Sequence, residues 1–222
     1  MTPSRRVLPE RPDRRQNILL AAEKLFAQRG YAAVSIRNIA EEAGVPLALV
    51  GYYFGQKHEL YHAIFEHWSA TIEERLAGLR AAVALGSQDG DALHRIVEAF
   101  IAPVIRLRTS AEGEYYALLM TRGLSLQTGE EDDIIRTFFD PMAHAFIEAL
   151  QGALSAEFPA VTRGTVAWCY QFGLGALLHH VGDQRVRRLS GGTNRPSNPA
   201  AMPLLVAFIT EGMRGAVRAA HG

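Results

Sequence analysis

Cysteine and lysine are scarce in this chain of 222 residues, which has one cysteine, Cys169, and only two lysines. A single cysteine rules out an intramolecular disulfide and any metal site built from several cysteines. A disulfide-held secreted domain is therefore excluded, and a reducing cytoplasm is the expected location. The basic N-terminal segment is not followed by an apolar stretch, so we expect no signal peptide. We also expect no membrane span, because a stretch of about 20 residues apolar enough to cross a bilayer is not expected in this chain.

An excess of charge is also absent, because 23 Lys and Arg balance 23 Asp and Glu. The balance is uneven along the chain: residues 1–37 carry a net charge of +5, and residues 38–222 carry −5. A basic segment on an acidic body favours contact with a polyanion at one end. A solvated tail is the alternative interpretation.

Alternating runs of β-branched and polar residues, which are typical of strands, are missing as well. Apolar residues instead recur at spacings of three and four, which predicts an all-α protein. The predicted architecture is an N-terminal three-helix unit followed by a C-terminal helical bundle. The main predicted helices span residues 14–29, 36–43, 46–54, 57–85, 91–108, 114–125, 132–154, 161–186 and 200–219.

Residues 35–54 meet the physical requirements of a helix-turn-helix motif. Ala40 is small enough for the point where the two helices touch, and Gly44 tolerates a left-handed conformation in the turn. The remaining contact positions are apolar: Ile39, Ala43, Val45, Val50 and Phe54. The spacing therefore predicts two short helices that cross steeply through a tight turn.

The run Ile18–Phe65 contains AAEKLFAQRGY, IAEEAGV and YYFGQKHEL, and it resembles the DNA-binding unit of the TetR family of transcriptional regulators. The resemblance implies a homodimer that binds a palindromic operator in double-stranded DNA and, in most members, represses transcription. It also implies three parts: a flexible basic arm over residues 1–13, a helix-turn-helix domain over 14–65, and an effector-binding and dimerisation domain over 66–222. The last two long helices are expected to form the dimer interface.

The resemblance assigns DNA contacts position by position. Arg37 is the expected reader of a base edge, and Leu47 with Ala48 is expected to pack against thymine methyl groups. Basic residues at the N-terminus are expected to reach phosphates or the minor groove; they are Arg5, Arg6, Arg11, Arg14 and Arg15. The predicted DNA-contacting set is Arg14, Ser35, Arg37, Pro46, Leu47, Ala48, Gly51, Tyr52, Tyr53 and Lys57, of which Ser35, both tyrosines and Lys57 match phosphate-contacting positions.

The predicted recognition helix departs from the family's usual pattern. Between Pro46 and Gly51 it carries no side chain that can hydrogen-bond a base. Specificity is therefore expected to depend on Arg37, on thymine methyl groups and on DNA shape. Leu49 is equally compatible with a DNA contact and with a place in the core.

The segment His58–His62, HELYH, suggests a competing function, because H-E-x-x-H on a helix places two imidazoles and a glutamate together for zinc. A helical metalloenzyme is thus the alternative, and a di-iron bundle using Glu59-x-x-His62 and Asp91-x-x-His94 is a weaker one. The zinc site lacks a convergent third ligand, because the next glutamates lie along the same predicted helix. We favour a regulator with no catalytic residue, metal or cofactor.

The C-terminal part is expected to hold a small, largely apolar effector, since ligand sites are apolar cavities with a few polar groups. Fatty acyl groups, acyl-CoA and aromatic compounds all remain open as effector classes. Each aromatic candidate competes with a simple role in the core. The expected ligand-contacting residues are Trp68, Phe100, Tyr115, Tyr116, Met120, Phe139, Trp168 and His179.

Overall fold

The computed structural model describes residues 13–86, 91–111, 113–126 and 129–221. Within these ranges the chain forms helices and turns without any strand, so the all-α prediction is confirmed. Arg5, Arg6 and Arg11 of the predicted basic arm lie outside the described residues. The chain divides into two compact units, of which the first ends at Ile64 and the second begins at Phe65.

The first unit is built around short amphipathic helices. Its elements are α1 (Arg14–Arg29), α2 (Ile36–Ala43), α3 (Leu47–Phe54) and the first part of α4 (Lys57–His67). Apolar residues from all four helices are fully buried in its core, namely Ile18, Leu25, Phe26, Ile39, Val50 and Leu60. The unit therefore has a hydrophobic core of its own.

Local hydrogen bonds define where the helices of the first unit begin. The Asp13 side chain accepts from the amides of Arg15 (3.0 Å) and Gln16 (3.2 Å), which caps α1. Ser35 caps α2 in a reciprocal arrangement: its hydroxyl accepts from the Asn38 amide at 3.2 Å, and its own amide donates to Asn38 Oδ1 at 2.9 Å. Such caps satisfy amides that the first helical turn leaves without partners.

The second unit contains the remaining helices. They are α5 (Ser69–Ala84), α6 (Ala92–Thr109), α7 (Glu114–Leu126), α8 (Glu130–Ile134), α9 (Asp140–Glu157), α10 (Arg163–Gly182), α11 (Val186–Leu189) and α12 (Met202–His221). Within this unit α6 packs against α5, α7, α9 and α12, and α10 packs against α9 and α12. The centre of the unit is therefore formed by α6.

Two predicted helices are interrupted. The prediction of one helix over 57–85 is wrong, because α4 ends at His67 and α5 begins at Ser69. The Trp68 carbonyl accepts hydrogen bonds from both the amide (2.9 Å) and the hydroxyl (2.7 Å) of Thr71. These bonds come from three residues further along, where a continuous α-helix would use the amide four residues further along. A five-residue π-turn, Ile135–Phe139, divides the predicted helix 132–154 just before Pro141, whose nitrogen cannot donate a hydrogen bond.

The predicted helix 161–186 ends earlier, at Gly182, because the Asp183 carboxylate accepts from the amide of Arg185 at 2.8 Å and turns the chain.

The expectation that no segment is apolar enough to span a membrane is wrong. The 22-residue helix Pro199–Ala220 is long enough and apolar enough to cross one. One such helix is weak evidence, because a core helix of a soluble protein meets the same criteria.

Two glycines of the first unit provide a matched test of the turn. Gly44 has φ +64°, whereas Gly51 lies inside α3, and an added Cβ would meet no atom within 4 Å at either position. Gly44→Ala is expected to lower the free energy of unfolding by about 1–2 kcal/mol through backbone strain. Gly51→Ala is expected to raise it by about 0.5–1 kcal/mol, because alanine favours a helix. Urea unfolding followed by circular dichroism measures both changes, and changes of the same sign would contradict this account.

Candidate nucleic-acid interface

The turn between α2 and α3 determines which face of α3 is exposed. The amide of Val45 donates to the Ala40 carbonyl at 3.0 Å, and the amide of Gly44 donates to the Glu41 carbonyl at 3.2 Å. These bonds close the end of α2 while Gly44 adopts its left-handed conformation. Together they define the compact helix-turn-helix that the sequence predicts.

One face of α3 is buried, and the other positions of the helix, together with its first residue, are open to solvent. Val50 and Phe54 pack into the core of the first unit, whereas Leu47 is 48% exposed and Tyr52 is 79% exposed. Pro46, Ala48, Gly51 and Tyr53 are also exposed, and Leu49 is half-buried. An apolar face of this kind on a short helix can pack against thymine methyl groups in a major groove.

Arg37 is exposed on α2 and has no ion pair or hydrogen bond with any residue that the structure describes. Its guanidinium can therefore direct donors to a base edge or a phosphate. Ser35 is exposed as well, but its hydroxyl already donates to Asn38 Oδ1 at 2.7 Å. The structure thus gives Ser35 a clear role in ordering the start of α2, beside the phosphate contact that the sequence predicts.

Of the other predicted basic contacts, Lys57 and Arg15 lie against aromatic rings of the first unit. The Lys57 ammonium lies 4.1 Å from the centroid of the Tyr31 ring, which orients it at the start of α4. Arg14 is exposed in the first turn of α1, and the next residue, Arg15, places its guanidinium 4.9 Å from the centroid of Phe54. Cationic groups therefore flank both ends of the helix-turn-helix in the chain sequence.

The HELYH segment has a structural explanation that needs no metal. The Glu59 carboxylate accepts from the Gln56 amide at 2.6 Å and so satisfies the start of α4. Asp91 does the same for α6 by accepting from the His94 amide at 3.1 Å. Across the described ranges, no group of three or more His, Cys, Asp or Glu side chains is placed to hold a metal ion. The metalloenzyme alternative therefore has no support.

The structure divides the predicted effector-binding residues among several places in the second unit. Trp68 stacks on Tyr116 with 5.2 Å between ring centroids, and Phe65 lies 5.7 Å from Tyr116 and 6.0 Å from Phe139. Phe100 belongs to a different cluster, described below. Tyr115 is half-buried and Met120 is buried.

Two of the predicted effector-binding residues lie on the surface instead. Trp168 is 63% exposed and stacks on Phe172, and His179 is exposed and pairs with Asp183 at 2.9 Å. Hydrogen bonds from Arg185 hold the pKa of Asp183 well below its usual range. In the described part of the chain, the eight predicted effector-binding residues therefore do not surround a single site.

Three cavities in the second unit have defined linings. A cavity of about 600 Å³ lies between α5, α6 and α9, with Leu79, Ala82 and Ile96 in its wall. A second, of about 500 Å³, includes His179 and Phe208 among its lining residues, and a third, of about 170 Å³, lies between α10 and α12. The two larger volumes fall in the range of small-molecule sites.

Sequence reasoning missed Arg75, which is 5% exposed on α5. Arg75 lies on the same helical face as the buried residues Leu79 and Ala82, four and seven positions further along. Its guanidinium lies 4.7 Å from the centroid of Phe100 and 5.8 Å from that of Phe146. An arginine at a core position of a helical stripe is the signal that could have identified it.

Both halves of the chain match known families. Residues 18–64 match the family model for bacterial regulatory proteins of the tetR family, and residues 98–212 match the model for the tetracyclin repressor-like C-terminal domain. The second match alone spans more than half of the chain. The two matched segments fall in the first and the second unit, respectively.

Curated relatives resemble part of the chain. It is 33% identical over 90 residues to the HTH-type transcriptional activator FasR of Mycolicibacterium smegmatis, which is 40% of each protein. It is 36% identical over 70 residues to the HTH-type transcriptional repressor NicS of Pseudomonas putida, which is 32% of this chain and 33% of NicS. The chain thus spans well under half the length of these relatives, which are transcriptional regulators and not enzymes.

Solved structures share the fold over most of the chain. The TetR family transcriptional regulator PfmR of Thermus thermophilus has a TM-score of 0.57 at 22% identity, covering 88% of this chain and 95% of PfmR. The fatty acid degradation regulator FadR of Bacillus halodurans also has a TM-score of 0.57, at 14% identity, covering 92% and 98%. With both family models matched, the chain belongs to the TetR family, whose members are DNA-binding transcriptional regulators.

Proposed function

We propose that this protein is a repressor that binds a palindromic operator as a dimer and leaves the DNA when a small, largely apolar effector binds the second unit. The observation that carries the proposal is the exposed face of α3 beside the exposed Arg37 of α2. In a helix-turn-helix protein the second helix enters the major groove, and its side chains contact base edges. The site of action would be the cytoplasm, where the operator is.

Charge and shape support operator binding by the first unit. Residues 1–37 carry the net charge of +5, and attraction to phosphates supplies much of the affinity of such proteins for DNA. Arg37 supplies a guanidinium that can read guanine, and Leu47 with Ala48 supplies an apolar surface for thymine methyl groups. The phenol groups of Tyr52 and Tyr53 are both exposed and suited to phosphate contacts.

The cavities of the second unit support an effector. The cavity of about 600 Å³ is walled mainly by alanine and other apolar side chains of α5, α6 and α9. A ligand that binds better to a conformation unsuited to the operator shifts the population away from the DNA-bound form. Repression requires less than activation, because a protein that occupies an operator already excludes other DNA-binding proteins from it. The relatives include both an activator and a repressor.

An exposed apolar face on α10 and α12 supports a dimer interface there. Trp168 and Phe172 on α10 are 63% and 61% exposed, and Leu204 and Phe208 on α12 are 75% and 70% exposed. Soluble monomers rarely expose contiguous patches of this kind. A second copy of the chain would cover the face, and aromatic residues are the typical anchors of such interfaces.

Arg37→Ala tests the proposed base contact. Footprinting of the purified protein on DNA around its own gene first defines the operator. Fluorescence anisotropy then compares the variant with the wild type on that operator and on a scrambled duplex. We expect affinity for the operator to fall by about 5- to 150-fold, which corresponds to 1–3 kcal/mol, and the preference over scrambled DNA to shrink.

The matched control is Arg106→Ala, which removes an exposed arginine from α6 in the second unit and should leave both affinities unchanged. A salt titration separates the two roles that Arg37 can have. Equal losses on both duplexes with a shallower salt dependence would assign Arg37 to a phosphate and refute the base contact.

Phe208→Glu tests the proposed dimer face. A carboxylate in the centre of an apolar interface is costly to bury, so we expect the variant to become monomeric at micromolar concentration in sedimentation velocity. Leu85→Glu is the control, because Leu85 is also exposed, at 51%, but follows α5. A Phe208→Glu protein that keeps the wild-type mass would show that the interface lies elsewhere.

A further inference from the structure

Arg75 is a buried cation without a counter-ion. It is 5% exposed, and its Nε and Nη2 atoms are buried with no hydrogen-bond partner. In the part of the chain that the structure describes, no carboxylate forms an ion pair with it. The aromatic rings of Phe100 and Phe146 lie against its guanidinium, and Tyr170 and Tyr116 are also close enough to interact with it.

The guanidinium stays charged in this environment. Burial lowers the pKa of Arg75, but the ordinary value is so high that the group remains protonated at neutral pH. Burial also raises the pKa of the nearby Tyr170, so that its hydroxyl stays neutral and supplies no negative charge. The faces of Phe100 and Phe146 offset part of the desolvation cost through cation–π attraction, but they satisfy no N–H donor.

A second arginine in the same unit shows how the fold satisfies a guanidinium that it binds internally. Arg214 on α12 donates to Glu157 (2.7 Å), Asp91 (2.8 Å) and Glu211 (2.7 Å). These carboxylates come from three parts of the unit and raise the pKa of Arg214. Arg75 is more deeply buried than Arg214, whose side chain is 14% exposed, yet it has none of these partners.

We propose that Arg75 binds the carboxylate of a small apolar acid, and that this acid is the effector. The planar fork of a guanidinium matches a carboxylate and can donate two parallel hydrogen bonds to it. The centroid of the Phe100 ring lies 5.2 Å from that of Phe146 and 5.2 Å from that of Tyr170. These three rings provide an apolar surface for the body of the ligand. The inference rests on the proposed function and specifies the chemical class of its effector.

Apolar space also lies close by along the same helix. Leu79, one helical turn after Arg75, lines the cavity of about 600 Å³, and Ala82 follows it in the same wall. A carboxylate at Arg75 would therefore lie about one helical turn from the wall of this cavity. A purely structural role for Arg75, with the rings as its only partners, is the competing outcome.

Thermal unfolding of the full-length protein without DNA, at a fixed protein concentration, tests the proposal. The probes are two matched pairs: benzoate with benzamide, and octanoate with octanamide. We expect at least one carboxylate to raise Tm by about 5 °C at saturation, and its uncharged amide to leave Tm unchanged. Sodium chloride at equal ionic strength should give no shift. The responding pair distinguishes an aromatic from an aliphatic ligand.

Arg75→Met keeps the apolar stem and removes the charge. We expect it to abolish the carboxylate-dependent rise in Tm and to weaken binding in calorimetry by at least about 30-fold. Arg75→Lys keeps the charge without the planar fork and should retain part of the shift, so it replaces Arg75→Met if that variant does not fold. Arg106→Ala, which removes an exposed arginine of α6 that lines none of the three cavities, should behave as wild type.

Three results would overturn the proposal: equal shifts with carboxylates and amides, a full carboxylate shift in Arg75→Met, or no shift with either carboxylate in the wild type. The readout is independent of DNA, so Arg37→Ala should keep the carboxylate shift. A wild-type protein that binds the carboxylate but no operator would refute the proposed repressor function and leave the assignment of Arg75 standing.

Discussion

At the turn between α2 and α3, the amides of Gly44 and Val45 donate to carbonyl groups at the end of α2, and Gly44 adopts φ +64°. This geometry reverses the chain within a few residues while Ala40, which is buried, lets the two helices approach. Because Val50 and Phe54 then face the core, Ala48 and Tyr52 on the opposite side of α3 face solvent. Leu47 is 48% exposed because it is the first residue of the helix. The exposed surface of α3 that is proposed to contact DNA is a consequence of this turn.

Helix content, the bounds of α1 and the cap of α2 could be predicted because short-range chemistry decides them. Ser35 and Gly44 mark helix ends through their own backbone preferences. The break at Trp68 was missed because it depends on where the amide and hydroxyl of Thr71 donate, which helical periodicity does not encode. The same limit applies to the π-turn before Pro141.

The effector-binding residues of the second unit stay a prediction, although the structure disperses them. Residue type does not decide whether an aromatic side chain is buried, and packing places Trp168 on the surface and Tyr116 in the core. Only tertiary structure separates these fates, since both residues are large aromatic side chains on helices. Arg75 was passed over because arginine is usually exposed, and the side chain becomes informative only when its burial and its missing partners are known. An exceptional environment, more than residue type, points to a ligand.

The apolar character of α12 has a physical explanation that differs from a membrane span. Val206, Ile209, Met213 and Val217 are buried within the second unit, and Arg214 donates to carboxylates of other elements, so insertion into lipid would break these contacts. Leu204 and Phe208, by contrast, lie on an exposed face. One apolar side of α12 is already packed within the unit, so only its exposed side lacks an apolar partner. In the proposed dimer a second copy of the same face would meet that need with two-fold symmetry, and the same symmetry matches the two halves of a palindromic operator.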